Sequence, residues 1–287
     1  MASLQDIRRR IKSVKNIQQI TNAMNMVATS RLRHAKEAAA ANRPYAEKTA
    51  QVVQQIAAAA TDFSHPLLME HPEGRKLFLV IAADKGLAGA YSSNVFKETK
   101  AQMKDAGVDA RSADLITVGR KAYEHFKSRD YSIVEKYIGI SEKPRFEHAQ
   151  RIANDIIARF ETGEISTVDM IYTRFVSAIS SVPEKIHLLP FQSEEQEATG
   201  LKAEYIYEPN AEEVLGFLLP QYVVTLIYAA LLQSSASELS SRMNAMSNAT
   251  DNAGELISKL DLYYNKVRQA GITREITEIV GGAEALK

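Results

Sequence analysis

The residues best placed to do chemistry are Asp84-Lys85-Gly86-Leu87-Ala88-Gly89-Ala90-Tyr91, a glycine-containing turn directly after the apolar run Lys76–Ala83. Ahead of a helix, such a turn can cradle a phosphate on free backbone amides. This one has neither the lysine and hydroxyl of GxxxxGK[ST] nor the glycine spacing of GxGxxG. A plain strand-to-helix turn is expected, with nucleotide binding the weaker alternative. The histidines (His34, His65, His71, His125, His148, His187) include no pair at the spacing of HExxH. His65 and His71 flank Glu70 in a proline-bounded loop, where solvated side chains are expected rather than ligands. No GxSxG occurs, and no base–nucleophile constellation is visible. Cysteine is absent, which excludes thiolate catalysis, Cys-ligated zinc, disulfides and thiol redox control together. No catalytic residue, cofactor or metal is therefore expected.

Charge is more telling. Lys plus Arg and Asp plus Glu both number 35 in 287 residues, so no bulk charge draws the chain to nucleic acid. Residues 1–36 nevertheless carry Arg8, Arg9, Arg10, Lys12, Lys15, Arg31, Arg33 and Lys36 against one acid, Asp6; this is +7 locally and −7 over the remainder. A solvated helix face, an acidic protein partner and nucleic-acid phosphate are the three readings. Nucleic acid is disfavoured, because no aromatic residue interleaves with these bases before Tyr45. The start shows no apolar signal core, and its basic residues lie within a periodicity that runs on without a break.

Three segments must position these groups. Residues 1–61 read as one long shaft helix, with Ser3 and Asp6 as a capping box and a stripe of Leu4, Ile7, Ile11, Val14, Ile17, Ile20, Met24 and Val27. Pro44 is expected to bend it, and Ser64-His65-Pro66 to end it. Residues 76–195 read as a central α/β domain. Runs at 76–83, 114–118, 131–137 and 168–176 are strands, and 92–106, 120–129 and 146–161 are helices between them. That alternation implies a mostly parallel sheet with crossover helices, and 185–191 is expected to add an edge strand. A polar loop is expected at 192–203. Residues 210–287 read as helices, capped by Asn210 and Glu213, with a break and a fresh start at Pro220. Val214–Ser237 carries no charge, and its flanks favour a buried helix over a membrane span. The positions Leu239, Met243, Met246, Thr250, Ala253, Ile257, Leu260, Tyr264 and Val267 then step by four and three, a coiled-coil seam.

This seam covers about 42 Å and the N-terminal stripe about 35 Å. Pairing them antiparallel removes both from water. The fold class expected is α/β: a long antiparallel two-helix coiled coil formed by both termini, with a central, mostly parallel, Rossmann-like domain. Beyond the pairing, Ile272, Ile276, Ile279 and Val280 would lie exposed on a lone helix, an apolar patch that calls for another protein.

At these residues the sequence resembles the gamma subunit of the rotary F-type ATP synthase over the whole chain. The pattern ITxExx[DE]xxxGAx[SAKR] is met from Ile272 to Ala285, and SLxDIxxRI at Ser3–Ile11, AMxMV at Ala23–Val27, DxGLAGAYxSN at Asp84–Asn94 and ATDNA at Ala249–Ala253 support it. The resemblance implies a non-catalytic central-stalk rotor that couples ion-driven rotation of the c ring to ATP synthesis or hydrolysis. It implies one copy inside three alpha and three beta subunits, with the α/β domain on epsilon and the c ring, and membrane association only through the complex. It implies beta-subunit contact by Met24, Arg268, Gln269, Thr273 and Glu275, joined by Arg8 and Arg9 of the basic helix. Ile272, Ile276 and Ile279 would form a tip in an apolar sleeve, and Tyr205, Tyr207 and Glu208 a foot on the c ring. Asn22 and Asn25 flank Met24 where relatives often carry charge. The location implied is the cytoplasmic face of a bacterial cell membrane. A coiled-coil scaffold with a basic arm and an α/β nucleotide-binding enzyme are the rival readings; a phosphate-binding fingerprint would mark the latter.

Overall fold

The computed structural model describes residues 4–59, 65–192 and 210–285. Its elements are α1 (Leu4–Ala59), a short 3-10 turn (Pro66–Leu68), β1 (Arg75–Ile81), α2 (Tyr91–Asp105), β2 (Ala113–Val118), α3 (Arg120–Lys127), β3 (Ser132–Tyr137), α4 (Phe146–Glu161), β4 (Ile165–Ser177), β5 (Ser180–Leu189) and α5 (Ala211–Ala285). The chain divides into two compact units. One comprises the residues up to Ala28 and those from Met243 onward; the other comprises Thr29–Arg242.

In the larger unit the strands form one sheet in the order β3-β2-β1-β4-β5. β1 pairs in parallel with β2 and β4, β2 in parallel with β3, and β5 closes the edge antiparallel to β4. Alternate β1 residues serve opposite faces. Leu77, Leu79 and Ile81 point into a core with Ile152, Ile156 and Phe160 of α4, Val53 and Ile56 of α1, and Leu215, Leu219, Val223 and Ile227 of α5. Phe78 and Val80 point into a second core with Val95, Phe96 and Met103 of α2 and Phe126 of α3. Covered on both faces, the central strand β1 is apolar from Leu77 to Ile81, which made it legible as an unbroken run, whereas the edge strand β3 carries Glu135 and Lys136 and is only half-buried.

Two expectations about the helices are corrected. Pro220 does not break α5, which runs unbroken from Ala211 to Ala285. An interior proline costs about 3 kcal/mol. Leu215, Leu219, Val223, Val224 and Ile227 are all buried around it, and each contributes about 1.5–3 kcal/mol, so burial wins. The start of α5 is as expected: Asn210 Oδ1 accepts the Glu213 N–H at 2.9 Å, and Asn210 Nδ2 donates to Glu213 Oε1 at 2.9 Å. The charge-free stretch from Val214 is packed into the sheet's core, although α5 is long and apolar enough to cross a membrane by composition. The second correction concerns the stripe on α1. Ile17, Ile20 and Val27 are exposed; the inward positions are Leu4, Ile7, Ile11, Val14, Gln18, Thr21, Asn25 and Ala28, in strict steps of three and four. The seam needs a period of 3.5, and an eye following the large apolar residues leaves it at Val14. The box proposed for Ser3 and Asp6 involves Ser3, outside the described residues, and the Asp6 carboxylate is taken by Arg9.

Within the smaller unit, the Thr21 and Thr250 hydroxyls lie 2.8 Å apart and Arg8 Nη2 donates to the Tyr264 hydroxyl at 2.6 Å. A Cβ added to Gly254 would stand 3.1 Å from Gln18 Nε2, so its absence admits the glutamine. Rising numbers on α1 meet falling numbers on α5, and position i faces 271 − i within one residue. The expected α5 seam, Met243 to Val267, is buried or half-buried at every position.

Candidate functional site

Two places on this scaffold were candidates: the turn after β1 and the outer surface of the coiled coil. The turn is closed by its own first residue. Asp84 Oδ1 accepts the N–H of Arg120 at 3.0 Å and of Gly139 at 2.8 Å, and Oδ2 accepts that of Ser141 at 3.0 Å. Ser141 Oγ in turn accepts the Asp84 N–H at 3.0 Å. Those amides stand at the carboxyl ends of β2 and β3, the edge at which open α/β sheets bind ligands. Gly119 makes the arrangement possible. At φ +91° it brings the end of β2 so close to β1 that a Cβ would sit 2.3 Å from the Ala82 carbonyl oxygen. Burial pushes the Asp84 pKa up, but the amides of Gly139, Ser141 and Arg120 and the Ser141 hydroxyl outweigh it and hold the carboxyl below its usual range. The carboxylate thus ties the turn to the ends of β2 and β3 and takes three amides that could otherwise hold an anion there.

Three of the histidines are used in the fold. His187 Nδ1 lies 2.8 Å from Asp169 Oδ1 on the paired strands β5 and β4, and His125 stacks on Phe96 at 4.1 Å. The Leu67 N–H donates to His65 Nδ1 at 3.1 Å, capping the 3-10 turn. Among the described residues no group of three or more His, Asp or Glu is placed to hold a metal ion.

The coil surface is different in kind. Arg8 is not a free cation: besides its bond to Tyr264, its guanidinium lies 5.5 Å from that ring's centre. Arg9 pairs with Asp6 and is exposed. On α5, Arg268, Ile272, Glu275 and Ile279 follow one another at helical spacing along one exposed face, with Gln269, Thr273, Ile276 and Val280 on the next. Since Val267 faces Leu4, this stretch runs past the first described residue of α1, and Ile279 is 72% exposed there. Arg8 and Arg9 fall at the level of Tyr264 and Tyr263, within two turns of Arg268 and Gln269, so four of the expected contacts form one collar. Met24 does not join them. It is half-buried and faces Ser247 in register, about 30 Å along the axis from Arg268. It borders a row of exposed apolar residues, Ile17, Ile20 and Val27, that the spacing had placed in the seam. Tyr205, Tyr207 and Glu208, like the loop expected at 192–203 beyond Gln192, lie outside the described residues.

The family model described as ATP synthase matches residues 3–286. Over 287 residues, and the whole of both chains, the sequence is 44% identical to the ATP synthase gamma chain of Desulfitobacterium hafniense. It is 42% identical to that of Macrococcus caseolyticus over 288 residues, again with full coverage of both. The chain belongs to the ATP synthase gamma-chain family. In fold it is similar to a chain of the central stalk and c-ring of the Tetrahymena thermophila mitochondrial ATP synthase, with 27% identity, a TM-score of 0.62, and coverage of 80% of this chain and 99% of that one. A chain of the Euglena gracilis mitochondrial enzyme shares the fold at 18% identity, with a TM-score of 0.68 over 99% of this chain and 94% of that one. As a gamma chain it is the rotor of the central stalk, a member of a membrane-associated ATP synthase that couples ion-driven rotation to ATP synthesis or hydrolysis.

Proposed function

We propose that this gamma chain performs no catalysis of its own, and acts by presenting a different face of its coiled coil to each of three surrounding beta subunits. The observation that carries this is the division of labour in the chain. Asp84 and three amides at the sheet's ligand edge are spent on each other, whereas the coil carries an exposed apolar row at Ile17, Ile20 and Val27 and, past the seam, exposed Ile272, Ile276 and Ile279. The functional division follows: within the terminal helices of 1–61 and 210–287, the stretches up to Ala28 and from Met243 supply the shaft, and their remainder joins 76–195 in the domain that meets epsilon and the c ring. One copy stands in a ring of three alpha and three beta subunits, at the cytoplasmic face of the bacterial membrane. Turning the shaft biases each beta site among conformations of different nucleotide affinity, which is coupling by differential contact.

Arg268, Gln269, Thr273 and Glu275 meet the beta subunits at the upper level, with Arg8 and Arg9 beside them. Met24 meets them lower down, and the exposed Ile17, Ile20 and Val27 extend that lower contact. Ile272, Ile276 and Ile279 turn in an apolar sleeve, and Tyr205, Tyr207 and Glu208 stand on the c ring. A bearing must slip, so the sleeve is expected to be apolar rather than tied by buried ion pairs. Ile276→Asp with Ile279→Asp places unpaired charge in that sleeve. Complex yield and ATP-driven rotation should fall well below those of a variant lacking residues 280–287. A double-Asp variant that assembles and turns like the natural chain overturns the sleeve. Micromolar ATP binding to the isolated chain, read by titration calorimetry, overturns the non-catalytic reading.

A further inference from the structure

A polar stretch of α5 remains without a role: Gln233-Ser234-Ser235-Ala236-Ser237-Glu238-Leu239-Ser240-Ser241-Arg242, which is buried almost throughout. Three of its serines are spent on the β4–β5 hairpin. β4 runs to Ser177, but its parallel pairing with β1 ends at Ile171. Beyond that point the edge of β4 turned away from β5 has no strand beside it, and α5 stands in for one. Thr173 N–H donates to Ser234 Oγ at 3.4 Å, and Phe175 N–H to Gln233 Oε1 at 3.1 Å. Ser237 Oγ donates to the Thr173 carbonyl at 3.2 Å, and Ser240 Oγ to that of Ala178 at 2.5 Å.

One turn around the helix lies a charge network that is buried at its α5 end and reaches the surface at Arg31 and Lys85. Arg242 and Glu238 have side chains 8% and 1% exposed and pair at 2.6 Å. Arg242 also approaches Glu142 at 3.7 Å, and Glu142 takes Arg31 of α1 at 2.7 Å and Lys85 of the turn at 2.9 Å. Ser235 Oγ donates to the Glu142 carbonyl at 3.3 Å. Sheet, turn, α1 and α5 are thus tied at one level.

Apolar contact is non-directional, so a helix packed only on the apolar core below could roll with little loss. Hydrogen bonds weaken steeply with misalignment. With side-chain atoms about 5 Å from the axis, a roll of about 30° moves a serine oxygen roughly 2.5 Å, enough to break each bond in the row. We infer that residues Gln233–Arg242, with Glu142 and Arg31, are a rotational key that fixes the angle of α5 against the α/β domain, so that torque on the domain passes into the helix. This rests on the rotor role. The residues are positioning residues: they touch no nucleotide and act through the helix.

The test uses the assembled alpha–beta–gamma complex, with the ring immobilised and a filament attached to the α/β domain through one introduced cysteine. Angular variance is recorded while the complex waits for ATP. Two variants are compared with the natural chain. Ser234→Ala, Ser237→Ala and Ser240→Ala together remove three of the four bonds in the row but keep its packing. Glu238→Leu with Arg242→Met removes both ends of the buried pair, a replacement that leaves no orphan charge and is often neutral for stability. Each is expected to assemble and to show angular variance raised about twofold or more, as when one of two parallel restraints is lost. Variants that assemble with unchanged variance overturn the key. If the triple alanine variant does not assemble, Ser237→Ala alone and the Leu/Met pair decide in the same way. Failure of the natural chain to turn under ATP would be a failure of the rotor reading, visible separately from any change in variance.

Discussion

Replacing Ile11 and Leu260 by cysteine tests the register of the shaft, and the geometry sets the outcome. The Thr21–Thr250 contact places residue 11 opposite residue 260. Helices packed 8–10 Å apart, with Cα atoms about 2.3 Å from each axis, bring facing Cα atoms to about 4–5 Å. A disulfide spans Cα separations of about 4.4–6.8 Å and fails beyond about 7 Å. Ile11→Cys with Leu260→Cys should therefore oxidise readily. Ile11→Cys with Val267→Cys is one heptad out of register, about 10.5 Å along the axis, and should not. The chain has no native cysteine, so a shifted band on a non-reducing gel has one interpretation. Closing a loop of about 250 residues should also stabilise the chain by about 5 kcal/mol on the chain-entropy account, read as a raised urea midpoint. Cross-linking of 11 to 267 but not to 260 would refute the register, and failure of every pair scanned between 7–20 and 250–267 would refute the coil itself.

Three further outcomes follow from single side chains. Asp84→Ala should cost about 2 kcal/mol in urea unfolding, allowing for solvent screening of a half-buried carboxylate. Because the Asp84 pKa is held down in the fold, its contribution is present above the ordinary value of 3.8 and is lost as pH falls below it; Asp84→Asn should flatten that acid limb. Burial, with Arg129 and Lys100 nearby, pushes the His125 pKa down to about 4. The folded chain therefore resists protonation where the unfolded chain does not, and stability should fall as pH drops from about 6.5 towards 4. An NMR titration of His125 midpointed near 6.5 would contradict this. Gly119→Ala should cost at least about 3 kcal/mol, combining the left-handed backbone with overlap against Ala82; a urea midpoint unchanged from the natural chain would show that the contact gives way.

Legibility in the sequence followed the physics of each element. The parallel strands were readable because burial on both faces leaves unbroken apolar runs such as Leu77–Ile81. The α5 seam was readable because its period is strict, and from Met243 to Val267 each of its positions is buried or half-buried. On α1 the large apolar residues Ile17, Ile20 and Val27 misled, because an exposed apolar residue looks the same in the sequence as one turned into the chain's own core. Gln18 and Thr21 hold seam positions that no hydrophobic pattern reveals; their signal lay in the spacing, which keeps to three and four through them. Pro220 was read by its local rule, and burial around it overrode that rule. For the polar run Gln233–Arg242 the charge-free stretch pointed to burial as far as Ser237, but nothing in the sequence showed that its hydroxyls bond the edge of β4. Asp84 was seen as part of a possible phosphate turn, but only the fold brings Gly139 and Ser141 to its carboxylate.

The rotor role is tested most directly by watching the chain turn. A single cysteine at the exposed Ser93 on α2 can carry a bead, with the ring of alpha and beta subunits fixed to a surface. On addition of ATP the bead should rotate in one direction, pausing at each third of a turn as successive beta sites act on the shaft. A bead that only fluctuates about one angle while the complex hydrolyses ATP at its full rate would contradict the account.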